Sequence, residues 1–382
     1  MIRKAFFEIH KWLGLLSGMV VLIVSLSGCV YVFTDELKDI FHRDRLYIEV
    51  PENRHRQPFS LLLDNARNAL GSDYEITRSE IFPGVDRSWI FRASQTNNKA
   101  VGHWNYYSYY FRVYVNPYTG KVIHIEDSKN DFFQLVLSTH MNLLLGPHIG
   151  KPLVGYSTLI FFVLLVSGLV LWWPRKWKVR TVRKGLTFKK NAKVKRFNYD
   201  LHNVLGFYSL LPALIIAVTG LVYSFDWVDE SIQYMADGGK KADKQVIPES
   251  TPAEVYNAGI LDRTMTKLLA DHRDADQFSL RFRDDKLAPL DVQIRLKKSR
   301  THLFAWYYFD RNNGDLLLKY GHNELSGGAK LRSMNYDLHV GSIGGMSTKI
   351  LAFVVSLICA SLPVTGFFVW YFKRRKSVKR LA

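Results

Sequence analysis

The stretch HKWLGLLSGMVVLIVSLSG (His10–Gly28) returns in kind as HNVLGFYSLLPALIIAVTG (His202–Gly220). In both, 18 residues separate a leading histidine from the glycine that closes a Ser-Gly or Thr-Gly pair. A second pair of segments also repeats. His140 precedes Gly168 of Ser167-Gly168 by 28 residues, and His339 precedes Gly366 of Thr365-Gly366 by 27. The chain is therefore one two-helix unit written twice, with histidines at both ends of its apolar runs.

Those runs, about Trp12–Phe33, Leu153–Trp173, Val204–Phe225 and Ile350–Phe372, each match the ~20 residues that cross ~30 Å of hydrocarbon. The expected class is an all-α membrane bundle of four transmembrane helices, two repeated two-helix units, carrying two exported α+β domains. Segment 1–34 holds the first span and 35–138 the first exported domain. Segment 139–173 holds an outer interfacial stretch and the second span. A basic loop follows at 174–199, the third span at 200–225 and the second exported domain at 226–338. Segment 339–372 repeats the interfacial stretch and span, and 373–382 is a basic tail.

Net charge of +18 in 382 residues invites a nucleic-acid reading, but its distribution rejects it. Twenty basic residues and only Glu8 as acid fall in the N-terminus, in Pro174–Asn198 and in the tail from Lys373. All three lie on one side of a four-span topology, the positive-inside pattern. This places both termini and the middle loop in the cytoplasm of a multi-pass membrane protein, with the lipid bilayer, not nucleic acid, as its partner. The first run is too long for a cleavable signal and lacks an A-x-A-like site. The cysteines, Cys29 and Cys359, both sit inside apolar runs and read as packing residues.

Each exported segment reads as a helix followed by strands. Phe59–Leu70 and Ala253–Leu269 have helical spacing. Tyr109–Val115, Phe278–Phe282, Leu290–Leu296 and Leu303–Phe309 alternate as strands. Gly-bearing turns, Asn116–Gly120 and Asp310–Gly314, make hairpins with Lys121–Ile125 and Asp315–Lys319. Amphipathic stretches at Phe132–Leu145 and Leu331–Val340 carry His140 and His339.

Among twelve histidines, His42, His55, His103, His124, His272, His302 and His322 fall in polar segments, where a solvated surface is the default. His148 reads as a haem-propionate partner or a surface residue. His10 and His202 sit at symmetry-equivalent span entrances and would face each other across the axis. So would His140 and His339 at the other face. Two imidazoles on facing helices are what a bis-histidine haem requires; the interfacial alternative has each histidine merely meeting headgroups. At ~1.5 Å per residue, 18 residues carry Gly28 and Gly220 to the level of His140 and His339. Gly168 and Gly366 likewise reach the level of His10 and His202. These four glycines either make room for a flat macrocycle or serve ordinary small-residue packing, as Gly14-x-x-x-Gly18 does. Zinc or copper sites want three or four close ligands, often with Cys or carboxylate, and fit less well.

The pattern His10-x-x-Leu-Gly14, Ser27-Gly28, Thr139-His140, Gly168-Leu169, Leu171-Trp-Trp-Pro-Arg175, Leu201-His202-x-x-Leu-Gly206, Thr219-Gly220-Leu221, Leu338-His339 and Thr365-Gly366 resembles the PepSY-associated transmembrane family of bacterial inner-membrane proteins, which implies that localisation here. The hairpin Val115–Val122 resembles a PepSY-domain ending, which implies that the two exported α+β domains are periplasmic and PepSY-like. Within the family the arrangement is similar to FoxB-type ferric-siderophore reductases. That resemblance implies two haem b groups, held by His10 with His202 and by His140 with His339, and an oxidoreductase that reduces ferric siderophore in the periplasm and releases iron(II). It implies quinol or a cytoplasmic reductase as electron donor, because the sequence carries no nucleotide or flavin fingerprint. The aromatic runs Trp104–Phe111 and Trp306–Phe309 are candidate chelate contacts, though sheet packing explains them as well. A siderophore or peptide transporter and a ligand-sensing scaffold remain the alternatives.

Overall fold

The computed structural model describes residues 2–174, 177–241, 245–252, 258–283, 285 and 287–378. Residues 253–257 of the expected helix Ala253–Leu269 lie outside the described residues, as do Arg175, Lys176, Lys379 and Arg380 of the basic segments. The chain forms two compact units. One gathers Met1–Phe33, Val136–Asp229 and the chain from Leu338; the other gathers Thr34–Leu135 and Glu230–Asp337.

The first unit is helical. Among the described residues, four helices are long and apolar enough to cross a membrane: Ile2–Tyr31, Gly150–Trp172, Val194–Ser224 and Met346–Arg374. We call them spans one to four. Span one packs against spans two and four, and span three packs against the same two, so the four close a ring. Small residues allow the close approach: a Cβ on Gly18 would stand 3.2 Å from Pro363 Cβ of span four. Outward positions are apolar and bare, with Leu16 74% and Leu211 70% exposed, as lipid-facing side chains are. Span three is not a regular α-helix throughout. Leu201–Leu205 forms one π-helical turn between the α-helices Val194–Asp200 and Gly206–Ser224. Cys29 and Cys359 are buried and unbridged.

The second unit corrects the all-α expectation. Among the described residues it is built on eight antiparallel strands: β1 Ile76–Ile81, β2 Trp89–Thr96, β3 Tyr107–Val115, β4 Val122–Asp127, β5 Gln277–Arg281, β6 Leu290–Lys297, β7 Arg300–Phe309 and β8 Leu316–Gly321. Their order is β4-β3-β2-β1-β5-β6-β7-β8. Each half of the chain supplies a four-stranded meander, and the halves join through their first strands, β1 and β5. The expected pair of α+β domains is thus one body with a continuous sheet. The physical reason is the edge: an isolated four-stranded sheet presents two rows of unpaired backbone groups, and fusion removes one edge from each half.

Helices Phe59–Leu70 and Ala258–Asp271 cover one face of this sheet. Phe59, Leu62, Leu63, Leu261, Met265 and Leu268 pack onto Phe91, Val113, Phe278, Leu280, Val292 and Ile294. Each such buried side chain contributes roughly 1.5–3 kcal/mol. The two helices also meet each other, where Asp262 accepts hydrogen bonds from Ser60 N at 2.7 Å and Ser60 Oγ at 2.6 Å. The turns expected at Asn116–Gly120 and Asp310–Gly314 are present. Gly120 (φ +72°) and Gly314 (φ +84°) adopt the left-handed conformation such turns demand.

Candidate functional site

In the membrane unit the histidines meet as two pairs. The His10 and His202 rings lie 6.3 Å apart between centroids, and the His140 and His339 rings 5.9 Å apart. Two imidazole nitrogens each ~2 Å from one metal put the ring centroids about 6 Å apart. Both spacings fit a shared metal. His10 comes from span one and His202 from the π turn of span three, across the ring from each other. Such π turns often mark functional positions, because the extra residue re-aims the side chains that follow.

Each ring is held by the nitrogen that a metal would not use. His10 Nδ1 lies 2.8 Å from Ser167 Oγ, His202 Nδ1 3.0 Å from Thr365 Oγ1, and His339 Nδ1 2.8 Å from Thr219 Oγ1. These hydroxyls already donate to carbonyls of their own helices: Ser167 to Leu164, Thr365 to Ser361, and Thr219 to Ile215. Their oxygens are therefore left to accept, and Nδ1 carries the proton. His140 reaches the same state differently. Its Nδ1 donates to the Val24 carbonyl at 2.9 Å, while Ser27 turns its hydroxyl back to Ile23 and Val24. In all four rings the Nε2 lone pair is the one left for a ligand bond, which is how outer partners fix a metal-binding histidine.

The four glycines lie where the sequence spacing put them, at the levels of the histidines, but they meet imidazole rings directly. A Cβ on Gly28 would come within 3.1 Å of His140 Cε1, and one on Gly366 within 3.2 Å of His202 Cε1. Gly168 and Gly220 would stand 3.4 Å from His10 and His339 Cε1. The repeated Ser/Thr-Gly pair thus has a joint meaning: the glycine admits the ring and, in three of four copies, the preceding hydroxyl anchors it. Sequence reasoning gave a role to the glycines alone. The hydroxyls were legible in the repeated dipeptide; the Val24 carbonyl leaves no signal in a side-chain pattern.

Along span one, His10 and the Gly28 that touches His140 are 18 residues apart, so the two levels stand about 27 Å apart. The donor set is free of acid: Asp200, the closest carboxylate along the chain to His202, is buried and paired with Arg196 at 2.8 Å. Two imidazoles per level cannot complete a zinc or copper shell. They can complete a haem, which brings four nitrogens of its own. His148 lies exposed in a turn.

The sheet unit corrects the surface reading of three histidines. His42, His103 and His302 are buried. His302 Nδ1 contacts Asp337 at 2.6 Å, and His103 Nε2 donates to the Lys129 carbonyl at 2.7 Å. His42, Glu126 and Asp131 bring ligand atoms within 4.8 Å of one another, a spacing that could hold a cation. Their surroundings argue against one. Arg112 sits 3.0 Å and Arg45 3.4 Å from Glu126, so its charge is already matched. Burial pushes the Glu126 carboxyl up, but Arg112, Ser128, Arg45 and Tyr114 outweigh it and hold the group at about 2. Burial, and next Arg45, keep the His42 imidazole below its usual range against the pull of Asp131 and Glu126. This cluster is an ion-pair network between the segment Thr34–Leu46 and the sheet.

No curated protein matches the chain. The sequence profile of the PepSY-associated TM region matches residues 7–373, which takes in both histidine levels, the sheet unit and all but the outermost residues of the four apolar helices. The chain is a multi-pass membrane protein and belongs to the PepSY-associated TM family.

Proposed function

We propose that the protein is a di-haem b oxidoreductase that carries electrons across the bacterial inner membrane and reduces ferric siderophore in the periplasm, releasing iron(II). The observation that carries the reading is the pair of facing imidazoles at each of two levels, every one protonated and anchored at Nδ1 and open at Nε2. His10 with His202 would hold one haem and His140 with His339 the other. When bound, haem supplies one-electron chemistry at a potential set by its axial ligands and their hydrogen bonds.

The chain's own part is to hold the ligands rigidly. Ser167, Thr365, Thr219 and the Val24 carbonyl fix the tautomers, and Gly28, Gly168, Gly220 and Gly366 let the rings sit close to neighbouring helices. Between the levels the spans pack apolar side chains, Leu165, Ala213, Ala217, Val355 and Cys359. The positive-inside pattern orients the His10 level toward the cytoplasm, where quinol or a cytoplasmic reductase would donate. Hard oxygen chelators grip iron(III) through its charge density and hold iron(II) far less well, so a single electron frees the metal. Neither a transporter nor a sensing scaffold accounts for four anchored imidazoles in facing pairs.

The decisive experiment is the visible spectrum and haem content of the purified protein, followed by reoxidation of the dithionite-reduced form with ferric chelates while iron(II) is trapped by a coloured ligand. Two b-type haems per chain and chelate-driven reoxidation are expected. A protein without haem, or one whose haem is reoxidised by quinone but by no ferric chelate, removes the assignment.

A further inference from the structure

The face of the eight-stranded sheet that the two helices leave uncovered carries a row of charge that neither half shows alone. Register places Glu126, Arg112, Arg92, Arg78, Arg281, Asp291 and Tyr308 directly opposite one another on successive strands from β4 to β7. Four adjacent strands, β3-β2-β1-β5, thus present four arginines side by side. With strands ~4.8 Å apart, they span about 14 Å. Like charges placed opposite each other destabilise a sheet, so such a row calls for an explanation.

Not all four are neutralised within the protein. Arg112 is bound by Glu126 at 3.0 Å, and Arg92 has Glu80 at 3.8 Å. Asp291 is taken by Arg283 at 2.8 Å. Among the described residues, Arg78 and Arg281 have no ion-pair or hydrogen-bond partner; Arg281 lies over the Trp306 ring at 4.8 Å. The buried Nε atoms of Arg92 and Arg281 are also unpartnered. Burial, then Arg92 and Arg281 beside it, push the Arg78 guanidinium below its usual range. The two open arginines face each other across β1 and β5, the seam between the repeats.

Aromatic rings flank the row on both sides. In the second half Trp306, Tyr308 and Tyr320 stack with interplanar angles of 10–20°. In the first half Tyr107 and Tyr110 stack at 5.3 Å. Planar guanidinium forks bind oxyanions bidentately. Tyr308 and Tyr110 are buried, and Arg92 and Arg112 lie over the Tyr110 ring, so the half-buried Trp306, Tyr320 and Tyr107 are the rings left to meet a planar ligand.

We infer that the Arg92–Arg78–Arg281 seam is a binding site for a small polyanion bearing planar aryl groups, and that the iron chelates this protein takes are anionic aryl-oxygen chelates of the catecholate kind in preference to neutral hydroxamates. The anion site rests on the sheet alone; its assignment to an iron chelate rests on the reductase reading above.

The test is equilibrium binding to the full-length protein in detergent, using gallium(III) chelates, which do not undergo the reduction that iron does. The probes are an anionic gallium tris-catecholate and a neutral gallium trihydroxamate. The anionic chelate should bind more tightly, and its affinity should fall with salt. Arg78→Gln and Arg281→Gln should each weaken it by roughly tenfold or more, the loss of a charge-assisted contact. Arg67→Gln, at an exposed helix position, should change nothing. Because removing a like charge relieves the row, neither seam variant should lower the thermal midpoint.

Equal binding by the variants, equal affinity for the neutral chelate or a clear loss of thermal stability in both variants would overturn the site. So would arginine-dependent binding to vesicles of anionic phospholipid without chelate binding, which would make the row a membrane-contact surface. Chelate binding without iron reduction would remove the reductase reading and leave the anion site standing.

Discussion

Histidines with fixed partners occur in both units, and they are held in opposite ways. In the membrane unit His10, His140, His202 and His339 rest on neutral acceptors, three hydroxyls and one carbonyl, and each keeps Nε2 open. In the sheet unit His42 sits among Glu126, Asp131 and Arg45, with Nε2 3.4 Å from Asp131. A neutral acceptor fixes a tautomer without adding charge, which leaves the imidazole as a ligand. A set of carboxylates already matched by arginines uses the imidazole as one more member of a network. The contrast explains why a cluster with the donor types of a metal site is read as structural, while pairs with only two donors are read as the redox centre.

The contrast breaks most visibly if ligand replacement fails to discriminate. His10→Ala and His202→Ala should each lower haem content from two per chain toward one and remove the same spectral component. His140→Ala or His339→Ala should remove the other. His42→Ala should leave haem content at the wild-type value. Pyridine-haemochrome assays give the haem content of all five and reduced-minus-oxidised spectra of the intact proteins give the component lost; loss of different components from His10→Ala and His202→Ala would refute the pairing.

The glycines sharpen the contrast by degree. Gly28→Ala and Gly366→Ala place a methyl 3.1 and 3.2 Å from imidazole carbons, tighter than the 3.4 Å at Gly168 and Gly220. The first two should lose much of their haem, because a ring displaced by a few tenths of an ångström in a packed bundle costs roughly 1–3 kcal/mol. Gly168→Ala and Gly220→Ala should retain most of theirs. Equal retention in all four would mean that the ring positions do not matter.

The anchoring hydroxyls come next. Ser167→Ala, Thr365→Ala and Thr219→Ala should each weaken haem retention by roughly 10–100-fold, the usual cost of losing an outer partner. Ser27→Ala should have no such effect, since His140 rests on the Val24 carbonyl instead. Competition with apomyoglobin measures all four. A loss in Ser27→Ala as large as in Thr219→Ala would contradict the asymmetry.

The smallest effect belongs to the sheet network. Glu126 ordinarily titrates near 4.5 and is held at about 2 in the fold, so its contribution to stability is complete above about pH 4.5 and is lost as pH falls through about 2. The thermal midpoint of the wild type should therefore fall across that window, and Glu126→Gln should flatten the fall. An unchanged slope in the variant would show that other carboxylates carry the acid sensitivity.

Local periodicity and the repeat made the membrane unit readable. Hydropathy runs gave the four spans, and the matched spacings brought each histidine level with its glycine, because helical rise converts residue count into depth. The helix Phe59–Leu70 and the Gly120 and Gly314 turns were equally legible, since their signals sit within a dozen residues. Strands β1 and β2 were not: Thr77-Arg-Ser-Glu80 is polar on the face away from the helices and lacks the dense β-branched or aromatic run that marks β3 and β7. The burial of His42, His103 and His302 depended on partners drawn from distant segments.

The sequence by itself determined the spans, their duplication and the residue types at each level, since these follow from side-chain transfer energies and helix geometry. Only the tertiary structure decided that the two meanders share one sheet, that β1 pairs with β5 and that four arginines therefore stand in a row. Strand pairing is a choice among exposed edges far apart in the chain. No local pattern encodes which edge is taken, because backbone hydrogen bonds are alike in every strand and only the final register sets side chain beside side chain.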